Sequence, residues 1–289
     1  MHHYRFGKKL EAIRFFERAL IVKKEKFGLE STDTIMTCEE LCKLCNGYAM
    51  ECLAVGNLAL CRELLKKVDI LTSPRGCLGG RSSRLRLRAV TYSNMGCLFK
   101  ERGELRSALR FLNQALEIEA AHPYCDNPAR THLNICAVYS QLGAHDKALG
   151  HGKAALALIK FEAAAAAEAG EDGGGGGSDD DEDGGPAVRG RGRGDGTSML
   201  AITHYNIAVE CEHQKMFYTA RMHFGLASDQ ATSDLGAESP MASGMRRARE
   251  EFELKFAREK DSARDRPRPP PKRAPKRGKG GRGGLVGRH

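Results

Sequence analysis

Two stretches of this chain are written to one spacing, and that spacing excludes most folds. Between Arg88 and Leu158, Tyr92, Met95, Gly96 and Phe99 are followed by Gly103, Ala108, Leu112 and Ala115. Likewise His132, Ile135, Cys136 and Tyr139 are followed by Gly143, Ala148, Gly152 and Ala155. The small residues Gly96, Ala108 and Ala115 stand twelve and then seven apart, as do Cys136, Ala148 and Ala155. Residues three and four apart share a helix face, and a Gly between two such runs closes a helical hairpin. A small side chain on each helix lets two backbones approach where they cross, so the spacing pairs Gly96 with Ala108 and Cys136 with Ala148.

The template recurs on both sides. Gly7, Ala12, Phe16 and Ala19 carry its second half alone, so Phe15, Phe16 and Leu20 are expected to lack part of their cover. Either a longer chain or self-association through residues 7 to 25 would supply it. Polar residues from Glu30 to Asp33 precede a helical run through Thr37 to Val55, with Gly56 as the turn and a second helix from about Leu58 to Leu71. Ser73 to Ser83, rich in Gly and Arg, reads as a loop. Farther on, Ile207, Ala208, Cys211, Ala220, Phe224 and Ala227 keep the spacing, with Lys215 where the turn Gly should be. Met245, Ala248, Phe252 and Phe256 lie on one face of a helix from about Met241 to Lys260, which would cap the end.

This pattern resembles the tetratricopeptide repeat, with an aromatic, a Leu, a Gly and a Tyr on the first helix and an Ala and a Phe on the second. Steps of 47 residues from Ala49 to Gly96 and 40 from Gly96 to Cys136 exceed the family's usual length of about 34 and resemble the long repeats of kinesin light chains. The resemblance implies an all-α solenoid of about four hairpins plus a capping helix. It also implies work as a protein–protein interaction scaffold or adaptor, with an extended peptide in the concave groove.

Composition limits how much of the chain joins that solenoid. The 289 residues are 41% hydrophobic but include 33 Gly and 10 Pro. Residues 1–162 hold the first hairpins. Residues 163–198 pass from an alanine run into five Gly, the acidic block Asp179 to Asp183 and three Arg-Gly pairs at 189 to 194, and are read as a helix extension and a disordered insertion. Residues 199–262 hold the last hairpin and cap. Residues 263–289 are a disordered basic tail: nine Lys or Arg without an acid lie between 266 and 289, so a net charge of +9 falls to zero without them.

Ten Cys with no signal peptide, no apolar run of membrane-spanning length and no Asn-x-Ser/Thr site point to a reducing, intracellular setting without a membrane partner. Cytoplasm is the first expectation, with nucleus and cilium left open. Cys38, Cys42 and Cys45 resemble the C-x3-C-x2-C iron–sulfur motif of radical S-adenosylmethionine enzymes, but their spacing of four and three, with Cys52 seven further on, makes one helical stripe suited to core packing. Gly278-x-Gly-x-x-Gly283 matches the dinucleotide fingerprint without a strand before it or a helix after it. No motif nominates a nucleophile, a base, a metal site or a cofactor.

Candidate binding residues fall into two groups. Asn94, Asn134 and Asn206 each precede the small residue of their first helix by two, an offset that turns each side chain about 160° away from the crossing point and toward the groove. This resembles the asparagine ladder of several tetratricopeptide proteins, in which an amide both donates to and accepts from a peptide backbone. The alternative is an Asn bonded to the neighbouring repeat. Tyr205 and His213 are neighbouring candidates for side-chain contacts. In the tail, Lys272, Arg273, Lys276, Arg277 and Lys279 could meet phosphates or serve nuclear import, and Pro267-x-x-Pro270-x-Lys272 has the spacing of an SH3 ligand. A nucleic-acid or ribosome-associated factor using this tail is therefore the alternative function.

Overall fold

The computed structural model describes residues 2–78, 82–122, 128–171 and 198–264. The insertion from 172 to 197 and the tail from 265, with Lys272, Arg273, Lys276, Arg277 and Lys279, lie outside the described residues. Ten α-helices account for nearly all of what is described. They are α1 (His2–Phe27), α2 (Thr32–Ala54), α3 (Leu58–Leu71), α4 (Ser82–Glu101), α5 (Leu105–Ala121), α6 (Pro128–Gln141), α7 (His145–Glu171), α8 (Met199–His213), α9 (Phe217–Leu235) and α10 (Pro240–Arg264). Helices α2/α3, α4/α5, α6/α7 and α8/α9 pair as hairpins, and the first helices α2, α4, α6 and α8 also touch in succession. The result is the all-α solenoid that the repeat pattern implies.

All four hairpins turn in one way. Gly56, Gly103 and Gly143 take φ of +77°, +76° and +70°, and Lys215 takes +60°. The next residue then donates its N–H back to the first helix: Asn57 to Cys52, Glu104 to Phe99, Ala144 to Tyr139 and Met216 to Cys211, at 2.8–2.9 Å. This bond closes the helix end around a left-handed residue, a position that suits Gly because a Cβ there crowds the carbonyl that follows it. Lys215 holds the same geometry without that freedom.

Where the helices cross, the structure moves the close contact by one turn from the pairing read in the sequence. A Cβ on Gly96 would overlap Leu112 Cγ, so Leu112, not Ala108, fills the space above Gly96. In the next hairpin Cys136 faces Gly152, and in the last Ala208 shares a core with Phe224. One size constraint is thus met three ways, with a small residue always opposite whatever the other helix offers. Ala108, Ala148 and Ala220 are fully buried beside these pairs.

The core is continuous through the first repeats. Cys38, Cys42, Cys45, Cys52 and Cys61 join Leu41, Leu65, Val68 and Leu98 within it, and burial pushes the Cys45 and Cys61 thiols up to about 11. The segment after α3 is a folded turn in place of an open loop: Leu78 is fully buried, and Gly76 passes so close to the Leu71 carbonyl that a Cβ would overlap it. On α1, Phe16 and Leu20 pack against the core while Phe15, Ile21 and Val22 stay exposed, so the lack of cover is narrower than the sequence suggests. Ion pairs from Lys67 to Glu17 and from Lys9 to Glu51 fasten α1 to α3 and α2. At the other end, Phe252 and Phe256 of α10 pack on Phe224, Phe217 and Tyr218 of α9. No helix among the described residues is long and apolar enough to cross a membrane.

Candidate functional site

The first helices line one face of the solenoid, and polar side chains run along it from helix to helix. Asn94 of α4 donates through Nδ2 to Asn46 Oδ1 of α2 at 3.1 Å, and Asn46 Nδ2 donates to Thr91 Oγ1 at 3.1 Å. One repeat on, Asn134 of α6 donates to Ser93 Oγ of α4 at 3.3 Å, and Thr131 Oγ1 reaches the same oxygen at 3.4 Å. In each case a Thr and an Asn three residues apart hold one polar side chain of the preceding helix. Asn94 and Asn134 are half-buried.

The third rung differs for a reason visible in its partner. Asn46, Ser93 and Leu133 each stand three residues before the small position of their helix. Asn206 therefore faces a repeat that offers Leu133 in place of a hydroxyl or amide, and it makes no hydrogen bond among the described residues. Thr203 turns its hydroxyl back to the Met199 carbonyl at 2.7 Å, as Thr91 does to Leu87, but unlike Thr91 it receives no hydrogen bond from the preceding first helix among the described residues. The Thr-x-x-Asn signal at Thr91/Asn94, Thr131/Asn134 and Thr203/Asn206 is present in the sequence and would have found the threonines. Asn46 and Ser93 carry no such signal, because they are recognisable only once the repeats are docked.

Thr131 also links this row to a buried acid. Its Oγ1 lies 3.0 Å from Glu119 Oε1, while Oε2 of the same carboxyl is buried without a hydrogen-bond partner. Burial pushes the Glu119 carboxyl up to about 7, and the Thr131 hydroxyl opposes that only in part.

Next to the Asn94–Asn46 pair lies a groove of about 620 Å³ between α2, α4 and α6, with Gly47, Met50, Leu87 and Val90 as its apolar part. Its wall carries three cations, Lys43, Arg86 and Arg130, all exposed. Glu40 approaches Lys43 at 2.7 Å. Such a concavity can accept an extended segment along the helices, since Asn94 and Asn134 keep their Oδ1 acceptors after donating to a neighbour.

Tyr205 and His213 are placed elsewhere. The Tyr205 ring packs edge-on against Phe224 of α9 at 5.8 Å, inside its own hairpin, because it occupies the position that meets the second helix. His213 stacks on His145 of α7 at 4.1 Å, and His145 Nδ1 donates to the buried Glu210 at 2.8 Å, which ties the start of α7 to the end of α8. Two further histidine pairs sit at matching positions of successive hairpins, His132 with His151 and His204 with His223, each with Nδ1 atoms 2.9 Å apart. Burial lowers all four, His204 to about 4 with help from the neighbouring His223 and Lys160. No group of three or more His, Cys, Asp or Glu among the described residues is arranged to hold a metal ion.

No protein-family model and no curated protein matches this chain. Among solved structures it is similar to BtubC (BKLC) from P. vanneervenii, at 15% identity over 94% of this chain and 96% of that one, with a TM-score of 0.55. Two structures of a Podosopora anserina putative kinesin light chain with nearly identical TPR-like repeats, one of them a point-substituted form, match at 13% and 12% identity. They cover 80% of this chain and 91% of theirs, with TM-scores of 0.39 and 0.44. The fold is a tetratricopeptide-like solenoid.

Proposed function

We propose that this protein is an interaction scaffold whose concave groove receives an extended peptide segment of a partner protein. The observation that carries this reading is the groove between α2, α4 and α6, lined by Asn46 and Asn94 and walled by Lys43, Arg86 and Arg130. Asn94 and Asn134 would hold the backbone of the segment through their remaining amide valences, and Asn206, with no other hydrogen-bond partner among the described residues, would extend the row. Carboxylates on the segment would lie opposite the three cations. Charge placed this way contributes more to encounter and selectivity than to raw affinity.

The test is a titration of the full chain with a peptide selected on it by display. Lys43→Glu with Arg130→Glu, both at exposed positions, should leave the melting temperature unchanged and weaken binding at least tenfold. Asn94→Ala should weaken binding two- to tenfold, since a neutral hydrogen bond contributes about 0.5–1.5 kcal/mol. Unchanged affinity in the charge-reversed protein would overturn the assignment of the groove.

A further inference from the structure

Helix α4 carries a second opening on a different face. Leu65 of α3, Met95, Leu98 and Phe99 of α4, and Phe111 of α5 surround an apolar pocket of about 170 Å³ between the two second helices α3 and α5. Phe99 and Phe111 stack there with ring centroids 5.2 Å apart and planes 6° from parallel, so one side of the pocket is aromatic. Sites that enclose whole small molecules run to roughly 300–1,000 Å³, which this pocket does not reach. It has the size for one side chain, and single large side chains seated in small desolvated pockets are where interface energy concentrates.

The exposed charges at the rim are basic. Arg62 and Lys66 stand exposed one turn apart at the mouth, and neither makes an ion pair or hydrogen bond among the described residues. Like charges at that spacing repel each other. Arg110 lies 5.0 Å from the centre of the Phe111 ring and Arg102 lies 5.8 Å from that of Phe99. The carboxylate among the lining residues, Asp69, is already matched by Arg88 at 3.1 Å. Arg102 is already paired with Glu104 at 2.8 Å, but an apolar occupant alone would leave Arg62 and Lys66 without counter-charge, and an anion alone would leave the aromatic wall in water.

We infer that this pocket docks one large apolar side chain, about the size of Phe, from a partner peptide whose adjacent residues are Asp or Glu. The site is separate from the concave groove and does not depend on it: Asn94, Val90 and Leu87 face the groove, while Met95, Leu98 and Phe99 face the pocket.

The experiment uses the full chain with ¹³C-methyl methionine and three peptides: Ac-Asp-Glu-Phe-Glu-Asp-NH2, the same with Ala for Phe, and the same with Lys for every acid. The Met95 methyl signal, identified from Met95→Leu, should move on titration with the first peptide. The Ala peptide should bind at least tenfold more weakly and the Lys peptide should leave the signal in place. Arg62→Glu with Lys66→Glu should weaken the first peptide at least tenfold, whereas Asn94→Ala should not change it. A Met95 signal that ignores the Phe peptide, responds equally to the Ala peptide, or is indifferent to the double charge reversal overturns the inference.

Discussion

Glu119 offers a direct measurement of what the packing between repeats does to a single group. Its carboxyl is 7% exposed, bonded on one oxygen by Thr131 and unpartnered on the other, and its value rises from 4.5 to about 7. Below pH 4.5 both folded and unfolded chains hold the proton and the shift has no effect. As pH rises from 4.5 toward 7 the unfolded chain ionises first, so stability falls by about 1.4 kcal/mol per pH unit and then levels off, about 3 kcal/mol in all. Glu119→Gln removes the charge while keeping the shape and the acceptor for Thr131. The Gln amide can itself be left short of a partner, so its absolute effect is not the useful number. Urea unfolding of both proteins at pH 5 and pH 8 isolates the electrostatic part, because every other titrating group cancels. The Gln variant should gain about 2–3 kcal/mol relative to the parent on going from pH 5 to pH 8. An equal difference at the two pH values would refute the burial argument.

Other positions give outcomes that unfolding experiments read directly. Lys215→Gly should stabilise the protein by about 1 kcal/mol in thermal or urea unfolding, because a left-handed backbone at φ +60° disfavours a side chain. The His204–His223 pair should limit stability in acid. His204 is lowered from 6.5 to about 4, so its contribution is complete above pH 6.5 and is lost as pH falls toward 4, and His204→Phe with His223→Phe should flatten that limb by about 3 kcal/mol. Ala108→Leu should cost about 1–3 kcal/mol, since Ala108 is fully buried beside the Gly96–Leu112 contact; an unchanged melt would count against the register.

The helices, their hairpin pairing and their turns were legible because each rests on local physics. A face repeats every three or four residues, a left-handed turn selects Gly, and both signals lie within one hairpin of about 30 residues. Even Lys215 could be recognised as the turn residue from its place in the template. The cysteine stripe was legible for the same reason, since four and three residues apart means one face.

What the sequence left open is which side chains meet across repeats. Asn94 reaches Asn46 and Asn134 reaches Ser93 over separations of 48 and 41 residues, and those pairings depend on how far one hairpin slides and rotates on the next. That docking is set by the summed fit of many apolar side chains, such as Leu112 over Gly96, rather than by any local pattern. It placed Tyr205 against Phe224 and buried Glu119 beneath Thr131, neither of which residue spacing could specify. It also left Asn206 without the partner its two counterparts have among the described residues. The sequence by itself determined the repeating unit; only the tertiary structure decided what each asparagine touches, because a hydrogen bond between repeats requires a register that no single repeat contains.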